Sequence, residues 1–266
     1  MTAAGEFAEP LAALGLDTLE GVFDYSGAGY LRTHANRDNF HIVFEKAGRH
    51  VDLYLKRHRG FELKEALKLL MAREPMTSAG RREWENLLRL QRLGIQAPRR
   101  VAFGEKRLLG FERRSFVITE AIASAVPLDE YLGSLQGDQA QRGAALLVKR
   151  ALLWDLGEIV RRLHGAGLTH MDLYLSHFLV REKADGDMEI FLIDLQRMAR
   201  RWLFKRRWII KDLAALLYSA RDVGLSKTDF GRFFSAYFDG TPSRAQKRLL
   251  RAALGRASRM ARRRRS

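Results

Sequence analysis

Cysteine is absent from the chain. That excludes disulfides and thiolate metal sites, and it suits a reducing compartment. Two further patterns are missing: an N-terminal succession of basic, apolar and small residues, and an uninterrupted apolar run of about eighteen residues. The expectation is a cytoplasmic protein that is neither exported nor membrane-spanning. Negative charge is scarce, with 31 Asp plus Glu against 47 Lys plus Arg and a net charge of +16. Such an excess favours a polyanion: nucleic acid, nucleotide phosphates or an anionic lipid surface. No nucleic-acid motif accompanies the charge, so nucleic acid is the least supported partner.

What is present is enough for a real core. The 266 residues are 47% hydrophobic, which fits one large domain or two lobes and argues against disorder. Residues 1–20 read as a loosely attached lead-in. "GYLRTH", "NFHIVFEKAG" and "RHVDLYLKRH" then alternate as strands do, with turns at "ANRD" (35–38) and "KAGR" (46–49). A helix follows in "SAGRREWENLLRLQRLGIQAP". Trp84, Leu87, Leu88 and Leu90 keep a helical period, Ser78 stands at its cap, and Gly94 and Pro98 stop it. "RRVAFGE" and "SFVITEAI" supply two more strands. Beyond Pro127 the pattern is helical, led by a long amphipathic helix (142–167) closed by Gly165 and Gly167. The fold class is therefore α+β in two lobes. A five-stranded antiparallel unit with one main helix spans 21–122, a mostly helical unit 123–258, and a basic tail 259–266.

The stretch "LTHMDLYLSHFLVREKADGDMEIFLIDLQRM" (168–198) breaks apolar segments with Asp172, Asp194, His170 and His177. Buried charge is costly unless a cation or a reaction needs it. Phosphoryl transfer needs a carboxylate near the acceptor hydroxyl, a carboxylate for Mg²⁺, a lysine for the phosphates and a glutamate to orient it. Asp172 after the long helix, Asp194 at a strand end, Lys56 late in the third strand and Glu83 in the first helix supply those types. Individually each has a structural explanation; their joint order is the signal.

The chain resembles the protein kinase superfamily and, more narrowly, the lipopolysaccharide kinase (Kdo/WaaP) family. The resemblance rests on "YLKRHRG" (54–60), "REWENLLRLQRLGI" (82–95), "SFVITE" (115–120), "HMDLYLSHFLV" (170–180), "FLIDLQRM" (191–198) and "KRRWIIKDLAALLYSA" (205–220). The "DLY" and "HFL" segments are closer to the heptose-kinase branch. By that resemblance Asp172 is the catalytic base or hydroxyl-orienting carboxylate and Asp194 the magnesium ligand. Lys56, paired with Glu83, contacts the α- and β-phosphates of ATP, and the carbonyl of Glu120 and amide of Ile122 meet adenine. Asp212 braces the catalytic loop, and His170 is a structural histidine. The chain departs from the superfamily in lacking G-x-G-x-x-G. Arg37 in "ANRD" stands where glycine amides usually meet the phosphates. His177 stands where the superfamily carries a magnesium-binding asparagine and is counted with Asp194 in the metal site, with single-metal chemistry or a hydrogen-bond donor role for it both open.

The basic block "RMARRWLFKRRW" (197–208) interleaves Trp202, Phe204 and Trp208 with cations. It suits an anionic interface. Its position just after Asp194 puts Arg200, Arg201, Lys205, Arg206 and Arg207 on the acceptor side. The implied activity is ATP- and Mg²⁺-dependent phosphorylation of a heptose or Kdo hydroxyl of the lipopolysaccharide inner core, peripheral on the cytoplasmic face of the inner membrane. The alternatives are a kinase for another hydroxyl and a non-catalytic kinase-like binding protein.

Overall fold

The structure is a computed structural model that describes residues 1–27, 29–34, 36–46, 49–60, 77–108, 111–135, 142–201 and 205–263. It divides into two compact units, Met1–Arg89 with Pro98–Ala123, and Leu90–Ala97 with Ser124–Ser266.

In the first unit the five expected strands all form: β2 (Tyr30–His34), β3 (Arg37–Lys46), β4 (Arg49–Arg59), β5 (Arg100–Leu108) and β6 (Phe111–Glu120). A two-residue strand, β1 (Thr2–Ala3), adds to the edge. The antiparallel order is β1-β5-β6-β4-β3-β2. Alternation gives the sheet two different faces. One carries Phe40, Ile42, Leu53, Leu55, Phe116 and Ile118, and these pack with Phe7, Leu11, Leu16 and Val22. The expectation of a loose lead-in over 1–20 is thus corrected. Helices α1 (Ala8–Ala13) and α2 (Leu19–Asp24) cover the apolar face, which would otherwise meet water. Arg57 locks this cover in place. Its Nη1 donates to the carbonyls of Val22, Phe23 and Tyr25 at 2.9, 3.0 and 2.9 Å, at the α2 C-terminus where a cation is favoured.

The other sheet face receives α3 (Ala79–Arg92). Ser78 caps it as expected, its Oγ accepting from Arg81 N at 3.1 Å. The next free amides also find acceptors on β6: Ala79 N donates to Glu112 Oε2 at 3.0 Å and Gly80 N to Ser115 Oγ at 2.9 Å. Burial pushes the Glu112 carboxyl up even so. The helix approaches so closely that a Cβ on Gly80 would lie 2.8 Å from the Phe116 carbonyl oxygen. Gly80→Ala is therefore expected to cost about 1–3 kcal/mol, read as a lower urea midpoint.

The second unit is mostly helical. It holds α4 (Leu128–Ser134), α5 (Arg142–Gly165), α6 (Lys205–Ser219), α7 (Lys227–Phe238) and α8 (Arg244–Arg263), with a small sheet β10-β9-β7 and a two-stranded β11-β8 pair. Strands β9 (Phe178–Glu182) and β10 (Met188–Leu192) pair in register, while β7 is Val126–Pro127, β8 Leu168–Thr169 and β11 Ala199–Arg200. Gly157 lets α5 sit against α7, since a Cβ there would lie 2.5 Å from the Phe233 carbonyl oxygen. The expected tail at 259–266 is helical through Arg263, because Ala253 and Ala257 bury one stripe of α8. Among the described residues no helix is long and apolar enough to cross a membrane.

Candidate active site

The first unit builds a lysine–glutamate ion pair. Lys56 on β4 reaches Glu83 on α3, Nζ to Oε1 2.5 Å. Glu83 lies in the buried stripe of α3 with Asn86, Leu87 and Leu90, so it is not a solvated helix charge. Its second oxygen, Oε2, is buried and has no hydrogen-bond partner among the described residues. A buried carboxylate so placed needs its lysine, and removing that lysine leaves an uncompensated charge.

Arg37 opens β3 opposite His58, on the same sheet face as Asn39 and Lys56. Its Nε donates to Asn39 Oδ1 at 3.1 Å. Burial, reinforced by Arg37, Lys56 and Arg82, pushes the His58 imidazole down to about 3. The face is therefore cationic around a neutral ring. The "ANRD" turn is shorter than expected, since Arg37 and Asp38 already pair within the hairpin; Ala35 lies outside the described residues. Asp38 is buried against Arg57 and Arg59. Glu120 ends β6, its amide bonded to the Arg99 carbonyl at 2.9 Å, and Ile122 follows half-buried.

The second unit builds the carboxylates. Asp212 on α6 is fully buried and holds the loop after β8: Oδ2 accepts from His170 N at 2.7 Å and Oδ1 from Met171 N at 2.8 Å. His164 on α5 joins the same carboxylate at 3.3 Å and meets the Tyr237 hydroxyl at 2.8 Å. Met171 has φ +77°, a left-handed conformation that such bonds must hold. His170 is structural, as expected. It is buried, its Nε2 donates to the Ile193 carbonyl at 2.9 Å, and burial pushes its imidazole down. The loop fixed in this way presents Asp172.

Two cations that the sequence reading did not assign to Asp172 flank it. Arg197 Nη1 is 2.6 Å from Oδ2, and Lys211 Nζ is 3.8 Å from Oδ1. Lys211 also donates to the Met171 carbonyl, and burial lowers its pKa. Lys211 interrupts the apolar run "WIIKDLAALL", a signal that was available; Arg197 was submerged in the basic block.

His177 Nδ1 lies 2.7 Å from the Asp172 backbone carbonyl. A carbonyl only accepts, so Nδ1 carries the proton. Nε2 is 3.8 Å from Asp194 Oδ2, while Gln196 Nε2 donates to Asp194 Oδ1 at 3.0 Å. A half-exposed carboxylate with one oxygen steadied by Gln196 and the other facing the His177 ring fits Mg²⁺. That ion takes one or two carboxylates and fills its shell with water and phosphate oxygens. No three His, Cys, Asp or Glu converge among the described residues. His177 thus acts on the Asp172 loop as a donor, with Nε2 beside Asp194.

Within the basic block, Arg201 is half-buried beside Trp208, its guanidinium 4.7 Å from the ring centroid. Arg200, Lys205, Arg206 and Arg207 are exposed, and Trp202 and Phe204 lie outside the described residues.

The family model for the Lipopolysaccharide kinase (Kdo/WaaP) family matches residues 35–237. The chain is 37% identical over 239 residues to lipopolysaccharide core heptose(I) kinase WaaP of Escherichia coli, covering 88% of this chain and 86% of that protein. With the same-named protein of Pseudomonas aeruginosa it shares 34% identity over 236 residues, covering 86% and 84%. A solved structure of WaaP in complex with acyl carrier protein superposes with a TM-score of 0.72 at 29% identity, covering 98% of this chain and 96% of that one.

Proposed function

The chain belongs to the lipopolysaccharide kinase (Kdo/WaaP) family, and on that premise we propose that it uses ATP to phosphorylate a heptose hydroxyl of the lipopolysaccharide inner core. It is a kinase with a protein kinase-like fold. The observation that carries the reading is Asp172, placed on a braced loop between Arg197 and Lys211.

The acceptor hydroxyl gives its proton to Asp172 as its oxygen bonds the γ-phosphorus. The bond from that phosphorus to the bridging oxygen breaks, and ADP leaves. Arg197 and Lys211 steady the carboxylate and meet negative charge on the transferred group. Lys56, oriented by Glu83, holds the α- and β-phosphates with help from Arg37, and Glu120 and Ile122 offer backbone groups to adenine. Asp194 would hold Mg²⁺, which when bound neutralises charge on the phosphates. An acyl carrier protein is a further proposed partner, since the similar WaaP structure is a complex with one.

Turnover of ATP with purified core acceptors, with the added phosphate located by mass spectrometry, tests the reading. Phosphate on a heptose is expected; phosphate only on Kdo, or ATP hydrolysis without transfer, would overturn the acceptor assignment.

The exposed cations beside the second-unit site supply a second test. Each is worth about 1 kcal/mol toward an anionic surface. Arg200→Ala/Arg206→Ala/Arg207→Ala should raise the acceptor KM roughly ten- to a hundredfold. The KM for ATP should barely move, and added salt should mimic the variant. An unchanged acceptor KM would reduce the block to scaffold.

A further inference from the structure

We propose that the end of the first-unit sheet bearing Arg114 is a docking surface for an anionic phospholipid headgroup layer. The inference rests on the function proposed above, because it gives an enzyme of a lipid-anchored acceptor its own contact with the membrane.

Register shows the surface first. Arg59 on β4 pairs with Arg114 on β6, and Arg114 pairs in turn with Lys106 on β5. Antiparallel partners share a face, so three cations stand abreast across three neighbouring strands. Lys56 lies three positions before Arg59, an odd step, and so projects from the opposite face. The row is separate from the ion pair of Lys56 and Glu83.

The ladder then slips. Arg107 pairs with Glu112, which leaves Arg113 as the extra residue of a bulge. Bulges re-aim side chains. Arg107 and Arg113 line, together with the row of three, a groove of about 1160 Å³. Among the described lining residues the acids are Glu20 and Glu112. Glu20 approaches Lys106 only at 4.0 Å with both side chains largely exposed, and Glu112 is committed to the α3 N-terminus. Arg59 is paired with Asp38, while Arg114 rests over the Phe23 ring at 5.1 Å.

Like charges set directly opposite each other in a sheet repel, so such a row suits a multiply anionic partner. The groove is larger than the 300–1,000 Å³ or so typical of small-molecule sites, and among its described lining residues Leu108 alone has an apolar side chain. Leu108, 56% exposed, flanks it on the same strand as Lys106 and Arg107. Spaced cations beside an exposed leucine match a headgroup layer, with charges at the phosphates and the alkyl group at the interface.

The test uses the full chain and vesicles of phosphatidylcholine with or without phosphatidylglycerol, read by sedimentation. Binding should require the anionic lipid. Lys106→Glu/Arg113→Glu/Arg114→Glu should lower the partition coefficient roughly tenfold or more. Lys247→Glu/Arg248→Glu/Arg251→Glu, the same charge change on exposed α8 positions, should lower it much less. Phosphorylation of a soluble, delipidated core oligosaccharide should be unchanged in the sheet variant. If the glutamate triple fails to fold, the glutamine triple is expected to show the same loss in smaller measure. Equal losses in the sheet and α8 variants would mean that net charge alone binds. Competition by inorganic polyphosphate as strong as that by phosphatidylglycerol at equal charge would make the ligand a soluble polyanion. Either result overturns the proposal. Vesicle binding needs no turnover, so groove-dependent binding without phosphate transfer would sink the kinase reading and leave this one standing.

Discussion

Asp172→Asn is expected to slow phosphoryl transfer by roughly two to four orders of magnitude while ATP affinity stays close to that of the native protein. Asparagine keeps the volume of aspartate and an acceptor oxygen for Arg197, so no cavity opens. The loop is held from elsewhere, by the Asp212 carboxylate on the amides of His170 and Met171 and by His177 on the Asp172 carbonyl. What the variant loses is a negative charge and a place for the hydroxyl proton. Both losses fall on the chemical step. Arg197 and Lys211 would then face the site without a counter-charge, which can only favour a phosphate-bearing ligand. Initial rates at saturating substrates, set beside calorimetric ATP affinity, separate the outcomes. If affinity collapses with the rate, Asp172 is a metal ligand and the two aspartates exchange roles. If the rate survives, the proton goes elsewhere.

Much of this site was legible because its residues violate the pattern around them. Asp172 and Asp194 interrupt apolar stretches of sequence, and Glu83 stands on the buried stripe of an amphipathic helix. The period of 3.6 that marked Trp84 and Leu87 as core also marks Glu83, so the carboxylate could be read as misplaced unless Lys56 met it. Asp212 was legible for the same reason, as an acid in an apolar run. The partners of Asp172 were not read. Arg197 and Lys211 come from segments 25 and 39 residues away in sequence, and pairing at that range is set by how the loop packs, not by local period.

In the fold, strands and the main helices follow from alternation and capping, whereas residues 1–20 misled. Their apolar residues Phe7, Leu11 and Leu16, with Val22 just beyond, are spread over short helices, too short for periodicity to declare a buried face. The need for them lies in the sheet: β3, β4 and β6 each put apolar side chains on the face away from α3. Arg57 was hidden for a related reason. Read in "YLKRHR" it is one cation among several, and only the end of α2, itself unread, gives it three carbonyls to bind.

Asp194→Asn should abolish transfer and remove the Mg²⁺ dependence of nucleotide binding, with the melting temperature little changed. The choice of asparagine matters. Asp194 has φ +58° and ψ +52°, the left-handed region. Asparagine tolerates that conformation, but alanine there costs roughly 1–2 kcal/mol through its Cβ. Alanine would therefore mix backbone strain with loss of charge, and a dead alanine variant would prove little. Asparagine keeps the αL turn that leads into the Leu195–Arg197 segment carrying Arg197 to Asp172, and it keeps an oxygen for Gln196. What disappears is the charge of a half-exposed carboxylate whose Oδ2 faces His177 Nε2 across 3.8 Å. A neutral amide is a weak ligand for a hard divalent cation. Nucleotide affinity should consequently fall to its metal-free level whether Mg²⁺ is present or chelated, whereas the native protein should bind far more tightly with the ion. Mg²⁺-dependent ATP affinity that survives in Asp194→Asn, with turnover lost, would move the metal to another carboxylate and leave Asp194 the work of positioning Arg197.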